Sequence, residues 1–309
     1  MLVVALVVQL VLGAGLIVVA VNGFPLVGGG SDGGGGARAG TVAAGPVPRA
    51  NVERFDELRA FAWIRLQLRY GQRPAGSAQL RRLAEVLRRA LRGRFEPVTG
   101  HPGLRNIVGT LPGRRPAIVV GAHYDSEYHP KGFVGANDSA AGTAAVLELF
   151  GSLRRAGGTG REVRFVLFDG EEEGPGCSSA RFSTCALRGS RAYVAAHRRE
   201  VGEMILLDYI ANKGVRLPHE RSSDRALWAR VRAAAKEVGV GAVFPATDQV
   251  AIYDDHTPFL RAGIPAVDLI DFSYRYADGL QDTIDKLSTA SLDAVGETIF
   301  AVVSELRAH

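Results

Sequence analysis

Four short apolar runs in this chain each end on acidic or imidazole side chains, and no other feature restricts the fold as much. IVVGAHYD ends with His123 and Asp125, VRFVLFDGEE with Asp169, Glu171 and Glu172, MILLD with Asp208, and AVDLID with Asp268 and Asp271. Apolar runs this short, bounded by polar residues, read as buried strands. In an open α/β sheet, ligands bind in the crevice at the carboxyl ends of the strands. Carboxylates gathered there repel one another unless protons or cations separate them. The pattern predicts strands that deliver their acids to one crevice.

The remaining periodicity fits that architecture. Strand-like runs at 106–111, 117–122, 163–168, 204–207 and 266–270 alternate with helical spacing at 139–155, 190–199, 222–238, 257–262 and 289–307. Two further amphipathic helices precede them at 51–70 and 77–92. The alternation predicts an α/β three-layer sandwich with a mainly parallel, mixed central sheet flanked by helices. Residues 2–21 hold one polar side chain, Gln9, and are long enough as a helix to cross a bilayer. They read as a membrane anchor, with a cleaved signal peptide as the alternative. Residues 22–47, with GGGSDGGGG, read as a flexible linker, which leaves a domain at 48–309. That places the domain at the membrane or in secreted form, on the extracytoplasmic side. Cys177 and Cys185 either close a small disulfide loop or remain free thiols. The net charge of +5 comes from scattered arginines with no basic, aromatic-interleaved stretch, so nucleic acid is not an expected partner.

Each acidic element has an ordinary reading when isolated: a solvated strand end, a helix cap, an acidic loop. Together they suggest more. His123 and Asp125 are two apart and share a face of an extended segment. Asp138 lies in GANDSAAG at a helix start, where it either caps the helix or bridges two cations. Glu171 and Glu172 are neighbours, and in an extended segment they would point apart. That suits one as metal ligand and the other as proton acceptor. Asp208 ends a buried strand and needs a partner. Asp254 and His256, in DDHTPFLRAGIP, are candidates for the edge of the site, as is Asp268.

In this order, HYDSEY, FVGANDSAAG, LFDGEEEG, LRGSRAYVA, LLDYIA and DDHTPFLRAGIP resemble the zinc aminopeptidase family that also contains the glutaminyl-peptide cyclotransferases. RPAGS at 73–77 resembles its N-terminal signature, and the likeness is to the cyclase-like branch. The resemblance implies one or two zinc ions and peptide N-termini as substrate. It assigns His123 and Asp208 to one zinc, Asp138 to a bridge, Glu172 to the second zinc, which is the only zinc in animal cyclases, Glu171 to general acid/base work and Asp125 to support of His123. Asp254 would belong to the acidic network beside Asp208. The implied activity is a metal-dependent exopeptidase using metal-activated water, with glutaminyl cyclisation or a non-catalytic peptide-binding role as alternatives.

One element departs from the family. Its last zinc ligand is a histidine within Trp-His-Thr, four residues before Asp-Thr. Aligned on Asp282–Thr283, this chain has Ala277, Asp278 and Gly279 at those places. Asp278 as a ligand makes the second site all-oxygen and shifts its preference toward Mg²⁺ or Mn²⁺. His256 is the spare imidazole for that site.

Overall fold

The computed structural model describes residues 45–309; the apolar run 2–21 and most of the glycine linker lie outside the described residues. No helix of the described residues is long and apolar enough to cross a membrane.

The chain begins with α1 (Glu57–Leu68) and α2 (Ala78–Ala90). Each starts at a side-chain cap, Asp56 on the Arg59 N–H and Ser77 on the Leu80 N–H. Then come β1 (Arg94–Pro97), β2 (Arg105–Leu111), β3 (Arg114–His123), α3 (Ala140–Ala156) and β4 (Arg161–Phe168). After them run α4 (Phe182–Cys185), α5 (Arg188–His197), β5 (Val201–Asp208) and β6 (His219–Glu220). The last elements are α6 (Arg225–Glu237), β7 (Asp248–Gln249), α7 (Thr257–Arg261), β8 (Ala266–Ile270) and α8 (Thr289–Ala308).

Six strands form one sheet in the order β1-β2-β4-β3-β5-β8. Strands β4, β3, β5 and β8 are parallel, and β1 and β2 add an antiparallel edge. Residues alternate across the sheet. Ile118, Val120 and Phe165 join the core formed with α1, α3, α6 and α8. Val119, Val166 and Met204 join Tyr193 of α5 and Phe259 of α7 on the other face. Helices therefore cover both faces, the three layers expected from the alternating pattern. The short β1, β6 and β7 had no apolar run to announce them.

Order matters more than content for the site. The chain leaves β3 for β4 on one side and returns across β3 to β5, so the carboxyl ends of β3, β4 and β5 face one crevice. Helix α3 packs tightly against this point: a Cβ on Gly142 would stand 2.2 Å from the Leu207 carbonyl oxygen. A larger residue at 142 would push the helix off β5.

Candidate metal centre

His123 ends β3 and Asp208 ends β5, so the parallel register brings them side by side. Asp138 reaches them from the turn before α3. That turn needs Gly135, whose φ is +53° and whose Cβ would collide with the Asp138 carbonyl oxygen. Asp282 fixes the turn from 145 residues away. Its carboxylate accepts the N–H groups of Asn137 at 3.0 Å and Asp138 at 3.1 Å. The Asn137 side chain in turn accepts the Ala211 N–H at 2.9 Å. Arg73, with no exposed surface, donates to the Val134 and Gly135 carbonyls of the same turn.

His123 Nε2 lies 3.1 Å from Asp138 Oδ1 and 3.6 Å from Asp208 Oδ1. Its Nδ1 is buried without a hydrogen-bond partner, as is Glu172 Oε1. Two groups of three donors converge here, His123 with Asp138 and Asp208, and His123 with Glu171 and Glu172. Within each, the donor atoms lie within 4.8 Å of one another. Orphaned buried donors around an imidazole fit a bound divalent cation.

Three expectations change in detail. Glu171 and Glu172 both face His123, because the chain turns at Gly170 (φ +79°) and the segment is not extended. Asp125 stands 3.8 Å from His123 Nδ1, and its hydrogen bonds go to the backbone N–H groups of Glu171 and Glu172. It orients the two glutamates as well as facing the imidazole. His256 is not available to the second site. It is fully buried beneath the crevice, 3.3 Å from Glu220 and 3.8 Å from Asp268. The start of α7 carries it inward.

Asp278 lines the crevice but joins neither donor group. Its Oδ1 accepts the Tyr209 hydroxyl at 2.9 Å, and the same hydroxyl lies 3.2 Å from Asp138 Oδ2. Tyr209 holds a left-handed backbone, φ +42°, that turns its ring into the site. Tyr209, Glu127, Asp282 and Arg73 are functional candidates that sequence reasoning did not single out. Tyr209, Glu127 and Arg73 lie inside the ordered motifs, and Asp282 belongs to the Asp-Thr pair.

The electrostatics match a site built for cations. Burial holds the Glu171 and Glu172 carboxyls well above the ordinary range. Burial, reinforced by Asp138, pushes Asp278 up to about 7, and burial pushes Asp208 to about 7. Burial opposes the charged form of His123, but Asp125, Asp138 and Asp208 win and raise it well above its usual value. The two aspartates start from 3.8. Their stabilising contribution to the metal-free fold is complete below that value and is lost as pH rises through about 7. Zinc replaces the missing protons. The gain in Tm on adding zinc should therefore grow between about pH 5 and pH 8 in thermal melts. A gain independent of pH would contradict this competition.

The crevice walls are apolar: Phe182, Ile252, Tyr253 and Phe272. Cys177 and Cys185 form a disulfide that closes the loop carrying Phe182. Phe182 meets the Tyr253 ring edge-on at 6.4 Å, and the Tyr253 hydroxyl donates to the Ser183 carbonyl. This pair supplies an aromatic wall although Ala277 stands where the family has tryptophan. Reduction, or Cys177→Ser with Cys185→Ser, should raise KM several-fold and leave zinc content unchanged, as measured by steady-state kinetics and metal analysis. An unchanged KM would show that the loop does not shape the wall.

Known proteins share this fold. Residues 106–303 match the model of peptidase family M28. A glutaminyl-peptide cyclotransferase from Bothrops jararaca is 26% identical, and the match covers 67% of this chain and 66% of the relative. The bovine enzyme of that name is also 26% identical. The chain thus spans about two thirds of the length of these curated relatives. An Acidobacteriales glutaminyl cyclase structure superposes with a TM-score of 0.73 at 25% identity, covering 88% of this chain and 99% of that one. A leucine aminopeptidase precursor from Bacteroides thetaiotaomicron shares the fold at 23% identity and a TM-score of 0.71, covering 82% of this chain and 98% of that one. The ordered motifs, the three-layer fold and a match over most of the chain lead to one assignment: this chain belongs to peptidase family M28.

Proposed function

We propose that this chain is a zinc-dependent glutaminyl-peptide cyclotransferase, which closes the N-terminal glutamine of a peptide or protein into pyroglutamate. The observation that carries the choice is Asp278. The resemblance puts both the second zinc of the hydrolases and the single zinc of the animal cyclases on Asp138, Glu172 and the residue at position 278, so a chain without that site keeps at most the cation of His123, Asp138 and Asp208. Here the Tyr209 hydroxyl engages Asp278, which stands outside both donor groups. One cation suffices for cyclisation, because the nucleophile belongs to the substrate.

His123, Asp138 and Asp208 would hold the zinc, which when bound supplies a positive charge that polarises the glutamine side-chain carbonyl. The oxygen-rich donor set also suits another divalent metal. The α-amine nitrogen forms a bond to the side-chain amide carbon, the bond from that carbon to the amide nitrogen breaks, and ammonia leaves. Glu171 takes a proton from the attacking amine and returns one to the departing nitrogen. A buried carboxyl with a raised pKa can do both near neutral pH. Asp254, which lines the crevice, orders the acids around this transfer. Phe182, Ile252, Tyr253 and Phe272 cover the methylenes of the glutamine and keep water out, so that the internal amine is the nucleophile.

Release of the N-terminal amino acid by hydrolysis is the second reading, supported by the additional donor group of His123, Glu171 and Glu172. Mass spectrometry of a glutamine-initiated peptide separates the two. Cyclisation removes the mass of ammonia; hydrolysis shortens the peptide by one residue. Shortening without loss of ammonia would overturn the proposal. An extracytoplasmic location, secreted or anchored through residues 2–21, belongs to the same reading and is supported by the Cys177–Cys185 disulfide, a bond that persists in oxidising compartments.

A further inference from the structure

Beneath the crevice floor lies a second convergence of donors, which shares only Asp254 with the chemistry above. Asp254, His256 and Asp268 each turn one donor atom toward a common point, all within 4.8 Å of one another. All three side chains are buried, with His256 at 0% and Asp268 at 1% exposure. Asp254 Oδ2, His256 Nδ1 and both oxygens of Asp268 have no hydrogen-bond partner. Four orphaned polar atoms at one buried point are a large cost for a folded chain, unless something occupies the gap.

The proton on His256 can be assigned from its neighbours. The Ser222 hydroxyl donates to Glu220 at 2.8 Å, so its oxygen is free to accept, and His256 Nε2 lies 3.0 Å from it. Nε2 therefore carries the hydrogen, with Glu220 behind it at 3.3 Å. Glu220 is held in place by the Ile252 N–H at 2.8 Å and the Ser223 hydroxyl at 2.8 Å. This is the arrangement that fixes a metal-binding histidine: one nitrogen donates outward to a braced carboxylate network, and the other presents its lone pair. The lone pair on Nδ1 faces Asp268 Oδ2 at 3.8 Å. That gap is too wide for a shared proton. It is suitable for an ion bound at about 2.0–2.2 Å from each ligand.

We propose that Asp254, His256 and Asp268 bind a second, structural divalent cation of the zinc type, separate from the catalytic centre. The site takes one nitrogen and two carboxylate oxygens, a donor set that suits zinc. Because Asp254 also lines the crevice, the ion would lock that carboxylate in place and cancel its repulsion of Asp268. The inference does not depend on whether the crevice cyclises or hydrolyses its substrate.

The test is anomalous diffraction at the zinc edge on crystals of the wild-type protein grown with zinc, together with metal stoichiometry. Two peaks are expected, one at His123 and one between His256 and Asp268. Asp268→Asn and His256→Gln should each lower stoichiometry by one ion and leave the His123 peak. His123→Ala should do the reverse. The buried ion should also resist EDTA far longer than the one in the open crevice. An ordinary water without anomalous signal at the lower site, with the His123 peak present, overturns this inference alone. A lower peak without one at His123 overturns the catalytic-centre assignment alone. The wild-type crystals decide the matter even if a variant fails to fold.

Discussion

Glu171→Gln should lower kcat on a glutamine-initiated peptide by roughly 10²–10⁴-fold, while the purified protein keeps its zinc. Glutamine preserves the shape of the side chain and removes its ability to accept a proton. Glu171 is buried, and its backbone N–H is tied to Asp125 at 3.2 Å, so the substitution has little room to rearrange the site. Glu171 also belongs to a donor group with His123 and Glu172, which makes metal analysis the deciding companion measurement. Lost turnover with retained zinc identifies a proton carrier. Loss of both identifies a ligand. Wild-type turnover would remove Glu171 from the mechanism.

The largest effect on stability should come from Arg73. Its guanidinium is fully buried, and burial lowers its pKa to about 10 despite the opposing charges of Asp138 and Asp282. It donates to the Val134 carbonyl, to Gly135 at 3.1 Å and to Gly71 at 3.4 Å. Arg73→Met would orphan these carbonyls and leave the acids without their buried cation. Breaking a buried ionic arrangement by removing one partner costs about 3–5 kcal/mol. In a domain of this size that is a fall in Tm of roughly 6–20 °C. Arg73→Lys should recover little, since one ammonium cannot reproduce a planar fork across several carbonyls. Calorimetry on the metal-free and zinc-loaded proteins measures this. Zinc affinity should fall as well, because the turn that Arg73 braces carries Asp138. A Tm within a degree or two of wild type would mean that the turn holds itself.

The sequence made the long elements legible because each is apolar at a clear period, and the strand ends marked the crevice because charge at the end of a buried run is costly. His123, Asp138, Glu171, Glu172 and Asp208 all reach that crevice. What stayed hidden depended on contacts across long stretches of chain. Glu220 lies in a two-residue strand with no period to read, and only the folded chain sets it behind His256, 36 positions later. His256 looked like a spare ligand because a sequence does not say on which side of a helix start an imidazole will lie. Asp278 looked like a replacement ligand because its competitor, the Tyr209 hydroxyl, comes from a residue 69 positions away in an unusual backbone conformation.

The Asp282 carboxylate that holds the Asn137 and Asp138 amides has a consequence for biosynthesis. During translation, residues 123, 138, 172 and 208 leave the ribosome well before the residue that sets their geometry. Nascent chains shorter than about 280 residues hold most of the donor atoms without their arrangement, and domains generally fold as units once synthesised. Zinc capture is therefore a late event. A ribosome-stalled chain ending before Asp282 should have far weaker affinity for zinc than one that has released it, so the segment that carries Asp282 licenses the metal site.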